Sequence, residues 1–166
     1  RDLARYRPML DSNQACWEQF GLGGEVNHAW TSYPGYLFQK YILGIQPTSG
    51  GFTTFDVRPD TGGLTFAEGA VPTVKGTITT SWKKTDGNFT LSAHVPANTR
   101  ATIYLPKFSK EDFTIAESGK ILWPAPSPIN DPGVLAVSKE NSSIQCLVSA
   151  GDYRFSEKSS IPAARK

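Results

Sequence analysis

Five residues near the start of the chain have the types and spacing that a catalytic site uses. Trp17 and Glu18 come directly before a glycine-rich loop, and Asn27, His28 and Trp30 follow it. An indole face gives a sugar ring a surface to stack on, and an apolar neighbour can tune the pKa of a carboxyl group. Asn27 and His28 could hydrogen-bond the hydroxyl groups of such a ring. The pattern fits sugar chemistry at Glu18, or a helix end with a solvated Glu18 and a structural His28.

The elements that would position these residues are short helices. Ser32 is a candidate cap and Pro34 a suitable first-turn residue for a helix over residues 34–43, and Gly44 is its stop signal. The apolar residues at helical spacing share one face: Tyr36, Leu37, Tyr41 and Ile42. A helix of about ten residues is roughly 15 Å long and needs tertiary contacts to form. We therefore expect this face to be exposed wherever its packing partner is missing.

In the rest of the chain, apolar residues recur with a period of two, which is typical of half-buried strands. Residues 88–95, "NFTLSAHV", alternate in this way, as do residues 100–106 and 143–149. Turn signals separate these runs, and Asp86-Gly87 is a hairpin signal between two of them. About seven to nine such strands indicate a mainly β protein. We expect a jelly-roll-like antiparallel β-sandwich preceded by a short helical segment.

The change of pattern divides the chain into three parts. We predict a terminal helical segment over residues 1–47, an antiparallel β-sandwich domain over residues 48–157, and a tail over residues 158–166. The chain starts with "RDLARYRPML", which has neither an initiator Met nor an apolar signal region. We therefore expect a processed or truncated N-terminus.

Composition argues against several classes of partner. The chain has 166 residues, of which 39% are hydrophobic and 19% charged, with a net charge of +2. Its Lys and Arg residues are not clustered as a nucleic-acid surface requires, so we expect no nucleic-acid partner. No apolar run approaches the length of a transmembrane helix, so we expect no membrane span. No metal-site spacing or phosphate-binding loop is present, and we expect neither metal nor cofactor. His94 lies on the polar face of its expected strand, as an ordinary surface residue.

Sequons and cysteines bear on the compartment of the protein. Asn88 and Asn141 each begin an N-glycosylation sequon, so we expect a secreted or extracellular protein. The two cysteines do not make a disulfide framework. Cys146 alternates with apolar neighbours on an expected strand, so it is either a buried free thiol or the partner of Cys16 in a long-range bridge.

The chain resembles the C-terminal part of bacterial and fungal α-L-rhamnosidases of glycoside hydrolase family 78. Four stretches carry the resemblance: "ACWEQF", "NHAWTSYPGYLFQKYILGIQP", "FTTFDVRPDTGGLTFAEG" and "GTITTSWKKTDGNFTLSAHVPANTRATIYLP". The closing "SAGDYRFS" is also similar to the end of those enzymes. The resemblance runs from about residue 6 to residue 156, and its specificity lies in the ordered succession of the stretches.

This resemblance implies an architecture and a reaction. The family has an (α/α)6 catalytic barrel followed by an antiparallel β-sandwich, and residues 1–47 resemble the end of that barrel. Its members hydrolyse α-L-rhamnosides with inversion, for which one carboxylic acid protonates the leaving oxygen and one carboxylate activates water. Glu18 in "CWEQF" matches the general base, and His28 matches a histidine that contacts rhamnose. Trp17, Trp30 and Asn27 would contribute to binding the rhamnose-containing glycoside.

The part of the family that this chain resembles does not include every catalytic residue. The general acid and the acidic residues of the sugar pocket lie upstream of the part that this chain resembles. Phe20 also stands where the family often has Trp. We therefore expect the chain alone to be inactive, with the remainder of the barrel or a second copy of the chain as its partner.

Two other functions stay open at this point. The chain could be a stand-alone carbohydrate-binding or interaction module that uses Trp30, Tyr33, Tyr36 and Trp82. It could also be a fragment of a rhamnose–glucuronate lyase on the same scaffold. Whether the parent is a hydrolase or a lyase depends on residues upstream of this part, so the reaction of the parent is left open between them.

Overall fold

The computed structural model describes residues 2–12, 15–20, 26, 29–85, 87–106, 113–124, 129, 131–140 and 143–159. The chain forms two compact units, Arg1–Phe38 and Gln39–Lys166. The second unit and its first strand, which begins at Ile45, both start before residue 48, where we placed the β-sandwich domain. The last strand reaches Ser159, so the first two residues of the expected tail belong to the sheet.

The first unit contains short helical elements. A 3-10 turn, Asp2–Tyr6, leads into helix α1, Arg7–Ser12. A second 3-10 turn, Ala29–Ser32, leads into helix α2, Tyr33–Leu37. Among the residues that the structure describes in this unit, the only buried apolar side chains are Met9 and Trp17. A helix of one or two turns needs packing to persist, so this unit has little internal support.

The helix expected over residues 34–43 forms in two pieces. After α2 the backbone continues as a π-helical turn, Phe38–Ile42. Ser32 precedes α2 as expected but its side chain makes no capping hydrogen bond, because its φ of −77° and ψ of 4° are not the extended conformation of a capping residue. Gly44 ends the segment with a φ of +76°, and a Cβ there would lie 2.2 Å from the backbone carbon of Arg58. Glycine is required at this stop.

Eleven strands form the described part of the second unit, more than the seven to nine expected. They are β1 Ile45–Pro47, β2 Thr54–Val57, β3 Phe66–Thr73, β4 Gly76–Thr85, β5 Asn88–Val95, β6 Arg100–Pro106, β7 Phe113–Glu117, β8 Lys120–Trp123, β9 Val134–Glu140, β10 Ser143–Val148 and β11 Gly151–Ser159. One sheet has the order β1-β2-β6-β10-β9, and the other has the order β3-β4-β5-β11-β7-β8. The mainly β fold with a short helical segment before it is thereby confirmed.

One pair of strands departs from the antiparallel pattern. Strand β2 runs parallel to β6, with Phe55 opposite Ala101, and the other strand pairs are antiparallel. The connection from β2 to β6 passes through three strands of the other sheet, so the two strands are not joined by a hairpin. Parallel neighbours need such a crossover, whereas a two-residue turn joins antiparallel ones.

The core lies between the sheets, and the period-two pattern fills it. In β5, Phe89, Leu91, Ala93 and Val95 are all buried. Residues Ala101, Ile103 and Leu105 of β6, and Ile144, Cys146 and Val148 of β10, are buried as well. These positions confirm the strand faces that the sequence predicts. Strands β4 and β5 pair with Thr85 opposite Asn88, as the hairpin signal requires, although Asp86 lies outside the described residues.

The junction before β1 is anchored to the second sheet by β4. The indole Nε1 of Trp82 donates a 2.7 Å hydrogen bond to the carbonyl of Ile42. Thr80 Oγ1 donates a 3.4 Å hydrogen bond to the carbonyl of Leu43. The Leu43 side chain also occupies the space that a Cβ on Gly69 would need, with 2.6 Å between them. Trp82 is therefore a core residue, and its ring is not available to stack on a sugar.

Candidate functional site

The segment that holds the expected general base lies against α1 within the first unit. The Trp17 backbone N–H donates a 3.4 Å hydrogen bond to the sulfur of Met9, and Trp17 pairs with Val26 through an isolated β-bridge. The Trp17 side chain is buried. The next residue, Glu18, is half-buried. Glu18, whose carboxylate is partly solvated, therefore directly follows a residue whose indole is buried.

An aromatic and cationic cluster fixes the chain just beyond Glu18. The Phe20 ring meets the Tyr6 ring edge-on, with 5.0 Å between centroids. The guanidinium of Arg5 lies 3.9 Å from the centroid of the Phe20 ring, which is within cation–π range. Burial raises the pKa of Tyr6, and the nearby Cys16 raises it further, while Arg5 acts in the opposite direction. The cluster ties the expected site segment to the N-terminal 3-10 turn.

The other expected site residues are only partly described. Asn27 and His28 lie outside the described residues, and Trp30 is described only as backbone in the 3-10 turn Ala29–Ser32. The structure therefore brings Trp17 and Glu18 together and gives no geometry for the remaining three residues. The roles of all five in catalysis and substrate binding stay predictions.

Both cysteines are free thiols. Cys146 is buried in the core, and burial raises the pKa of its thiol to about 12. A thiol with this pKa stays protonated and unreactive at neutral pH. The free-thiol interpretation of Cys146 is the one that the structure supports.

Helix α2 presents aromatic side chains to solvent. Tyr33, Tyr36 and Phe38 are each about half exposed, and the Tyr33 and Tyr36 rings lie 5.7 Å apart. Large aromatic side chains are normally covered in a soluble protein. Of the face expected to be exposed, Tyr36 and Tyr41 are about half exposed, whereas Ile42 is partly buried against the core.

A polar trough that the sequence analysis missed lies on the outer face of the six-stranded sheet. It consists of a cavity of about 560 Å³ and an adjoining cavity of about 380 Å³, which share Glu68, Ser81 and Ser92. Strands β3, β4, β5 and β11, which are neighbours in the sheet, line it. These volumes lie in the range of small-molecule sites.

A histidine–carboxylate pair lies at one end of this trough. His94 Nδ1 and Asp152 Oδ1 are 2.7 Å apart, on strands β5 and β11, where the two residues lie directly opposite each other. Alternation in the sequence places His94 on the outer face. It gives no sign of Asp152, which is 58 residues away. Only the pairing of β5 with β11 brings the two together.

A second polar cluster occupies the outer face of the five-stranded sheet. Burial raises the pKa of Asp56, which is hydrogen-bonded to Tyr104 and lies near Arg58. The Arg58 guanidinium lies 4.8 Å from the centroid of the Tyr104 ring. A groove of about 490 Å³ lies beside Arg58 and is lined also by Tyr41 and Asp60.

Two further searches cover only the residues that the structure describes. Among them, no group of three or more His, Cys, Asp or Glu side chains is arranged to hold a metal ion. No helix in the same part of the chain is both long and apolar enough to cross a membrane.

A family model matches part of the second unit. Residues 44–120 match the bacterial alpha-L-rhamnosidase C-terminal domain. This part of the chain is similar to that domain, and the match covers a little under half of the chain. The match covers strands β1 to β7 and so includes strands of both sheets. It confirms the resemblance to the C-terminal part of α-L-rhamnosidases that the sequence motifs carry.

Two curated relatives are alpha-L-rhamnosidases. The chain is 40% identical over 70 residues to the alpha-L-rhamnosidase of Alteromonas sp. strain LOR, which covers 42% of this chain and 8% of that protein. It is 32% identical over 81 residues to the alpha-L-rhamnosidase of Streptomyces avermitilis, covering 48% of this chain and 8% of that protein. The match thus spans less than a tenth of the length of each relative.

Solved structures share the fold. The structure of alpha-L-rhamnosidase from Dictyoglumus thermophilum superposes with a TM-score of 0.75 at 22% identity, over 91% of this chain and 17% of that one. The Streptomyces avermitilis alpha-L-rhamnosidase complexed with L-rhamnose superposes with a TM-score of 0.69 at 23% identity, over 90% of this chain and 14% of that one. At these identities the likeness establishes the fold alone.

Proposed function

We propose that the chain is the C-terminal portion of an inverting α-L-rhamnosidase that hydrolyses terminal α-L-rhamnosides. The observation that carries this proposal is the match of residues 44–120 to the C-terminal domain of that family. Both curated relatives are named alpha-L-rhamnosidase, and each is far longer than the part that matches. A much larger catalytic part would therefore accompany this chain.

In this proposal Glu18 is the general base. An inverting hydrolase holds two carboxyl groups roughly 6.5–9.5 Å apart, which leaves room for a water molecule. The water oxygen attacks the anomeric carbon while Glu18 takes a proton from that water. A carboxylic acid from the rest of the enzyme protonates the glycosidic oxygen, and the bond to the aglycone breaks with inversion. The chain alone lacks this second carboxylic acid, so it would be inactive.

The first unit has the features of a partner-dependent site. Glu18 is half-buried beside a buried Trp17, an environment in which a carboxylate can still reach a water molecule. The exposed aromatics of α2 are the kind of surface that another part of a protein covers. We propose the remainder of the barrel as that cover, and Asn27, His28 and Trp30 as residues that help to bind rhamnose.

Nothing in the comparisons favours the other two functions. A stand-alone carbohydrate-binding module or a fragment of a rhamnose–glucuronate lyase would need relatives of those kinds, and both curated relatives are alpha-L-rhamnosidases. Trp82, which the module would use for stacking, is buried.

The test is hydrolysis of a chromogenic α-L-rhamnoside by the longest protein that the gene encodes. We expect activity from that protein and none from this chain alone. Replacement of Glu18 by Gln should lower kcat by about 10²–10⁴-fold, the contribution typical of a general base. Glu25→Gln, a change of the same kind in the same segment, is the matched control and should keep most of the activity.

Two outcomes would contradict the proposal. If the Glu18→Gln enzyme is as active as the parent, Glu18 is not the general base. A parent protein that leaves α-L-rhamnosides intact would remove the reaction itself. Circular dichroism of both variants establishes that a lost activity is not a lost fold.

A further inference from the structure

We propose that the outer face of the six-stranded sheet binds a neutral oligosaccharide in the trough above strands β3, β4, β5 and β11. This inference does not depend on Glu18 or on the proposed hydrolysis. It depends on the shape of the trough, the side chains on its floor, the balance of charge around it, and an exposed aromatic ring at one end.

Cross-strand register builds the trough. One row of outward positions runs Ala70, Thr79, His94, Asp152 across the four strands. The next row runs Glu68, Ser81, Ser92, Arg154. The third runs Phe66, Lys83, Thr90, Ser156. Neighbouring strands lie about 4.8 Å apart, so each row spans about 14 Å. The surface is wide enough for more than one sugar ring.

The middle of the trough has short hydroxyl side chains. Thr79, Ser81 and Ser92 line the larger cavity, and Ser92 with Thr90 continues into the smaller one. Short side chains leave the volume open, and each hydroxyl can both donate and accept a hydrogen bond. A polyhydroxylated ligand presents the same combination of donors and acceptors.

Charges of both signs surround this floor. Glu68 and Asp152 bring negative charge, and Lys83 and Arg154 bring positive charge. This balance favours a neutral ligand over an anionic one, because either sign of ligand would meet a like charge. Carboxylate and guanidinium groups also form paired hydrogen bonds, which suit adjacent hydroxyl groups on a ring.

The His94–Asp152 pair adds a directed acceptor. An ionised Asp152 can only accept, so His94 Nδ1 donates across the 2.7 Å contact. In the neutral imidazole this leaves Nε2 as an acceptor, and the contact limits rotation of the ring. A hydroxyl group of the ligand can donate to that nitrogen.

Phe66 supplies a stacking surface at the other end. Its side chain is 67% exposed, and it lines the smaller cavity with Lys83 and Arg154. An exposed aromatic face offers the apolar side of a sugar ring a place to pack. A protein partner is less suited, because the centre of a protein–protein interface is depleted of charged residues and this trough is rich in them.

The experiment is an amide-shift titration of the isotope-labelled full chain. The probes are L-rhamnose and an α-1,6-linked rhamnosyl-glucose disaccharide, and oligogalacturonate is the anionic comparison. We expect shifts at Ser81, Ser92 and His94 with the neutral disaccharide. Phe66→Ala and Glu68→Ala should each weaken binding roughly tenfold or more. Val74→Ala removes a side chain that is 85% exposed and outside the trough, and should leave binding unchanged.

Each outcome decides the proposal. Absent shifts at these amides, shifts that both variants retain, or binding of oligogalacturonate alone would overturn it. The Glu18→Gln chain separates it from the proposed function, since it should bind the disaccharide as the parent chain does. If the full-length protein hydrolyses no rhamnoside but the shifts persist, the binding proposal holds and the proposed hydrolysis is wrong. If the full-length protein hydrolyses a rhamnoside but the shifts are absent, only the binding proposal is wrong.

Discussion

The two compact units differ in where their support comes from. In Arg1–Phe38, the described residues bury only Met9 and Trp17 among their apolar side chains, and the helices are one or two turns long. In Gln39–Lys166, two sheets enclose a continuous apolar core. Yet the motifs that resemble catalytic residues belong to the first unit. The residues that resemble a catalytic site thus lie in the unit whose described residues bury the fewer apolar side chains.

This difference follows from the secondary structure of each unit. Paired strands hold one another in place, and their inward side chains pack into a shared core. The second unit therefore supplies its own tertiary support. A site segment with few buried neighbours depends on contacts from elsewhere to stay in place. The two units therefore differ in how much tertiary support their own described residues supply. Paired substitutions, one in each unit, test this difference.

The largest contrast should come from paired phenylalanine substitutions. Phe155 is fully buried, stacks on Tyr153 at 6.0 Å between centroids, and lies opposite Leu91 of β5. Phe155→Ala should lower the free energy of unfolding by about 3–5 kcal/mol, because it leaves a cavity in a packed core. Phe20 is 42% exposed, so Phe20→Ala should cost about 1 kcal/mol, mainly from the lost Arg5 contact.

Urea unfolding followed by fluorescence and circular dichroism measures both variants. Equal losses would show that the first unit is packed as firmly as the second. A Phe155→Ala chain that keeps its unfolding midpoint would show that the core between the sheets is not the main source of stability in the second unit.

A smaller contrast is expected from paired glycine substitutions. A Cβ on Gly44 would lie 2.2 Å from the Arg58 backbone, at a φ of +76°, so Gly44→Ala should cost about 3 kcal/mol. Gly35 lies within α2 and a Cβ there meets nothing within 4 Å. Gly35→Ala should therefore be neutral or stabilise by up to about 1 kcal/mol. Thermal melting compares the two, and a tolerated Gly44→Ala would mean that the backbone before β1 and the backbone after β2 can move apart.

The sequence predicts the fold well where local pattern and burial agree. The alternation in residues 88–95 gives β5 its bounds and its buried face, and Gly44 is a reliable stop. Strands β3 and β8 are not evident from the sequence pattern, because Gly and Pro interrupt the first and a Pro-rich stretch follows the second. The parallel pairing of β2 with β6 is a consequence of topology, which periodicity does not encode.

The candidate sites divide in the same way. Glu18 can be predicted from the sequence because it lies in a compact motif, and its role stays a prediction. The trough was missed because its rows combine residues from four strands, and the partner of His94 lies 58 residues away. A surface made by strand pairing becomes visible only once the register is known.

The smallest contrast should come from paired aspartates, through the pH dependence of stability. Burial opposes ionisation of Asp131, but hydrogen bonds from Lys120 and the Gly133 N–H outweigh it and lower the pKa of the carboxyl group below its ordinary value of 3.8. A lowered pKa in the folded state stabilises the fold above pH 3.8. The stability is lost as the pH falls through the folded value.

Asp131→Asn keeps an oxygen for the Gly133 N–H and removes both the charge and the oxygen that accepts from Lys120. We expect a loss of about 0.5–1 kcal/mol at neutral pH, because the Asp131 side chain is only 9% exposed while its partner Lys120 is open to solvent. The loss should vanish in strongly acidic solution, where Asp131 of the parent chain is also neutral. Asp11 pairs with Arg7 at 3.4 Å on an exposed helix face, so Asp11→Asn should change stability little at any pH. Parallel pH-dependent losses in both variants would mean that the first unit relies on its charges as the second does, and the comparison between them would fail.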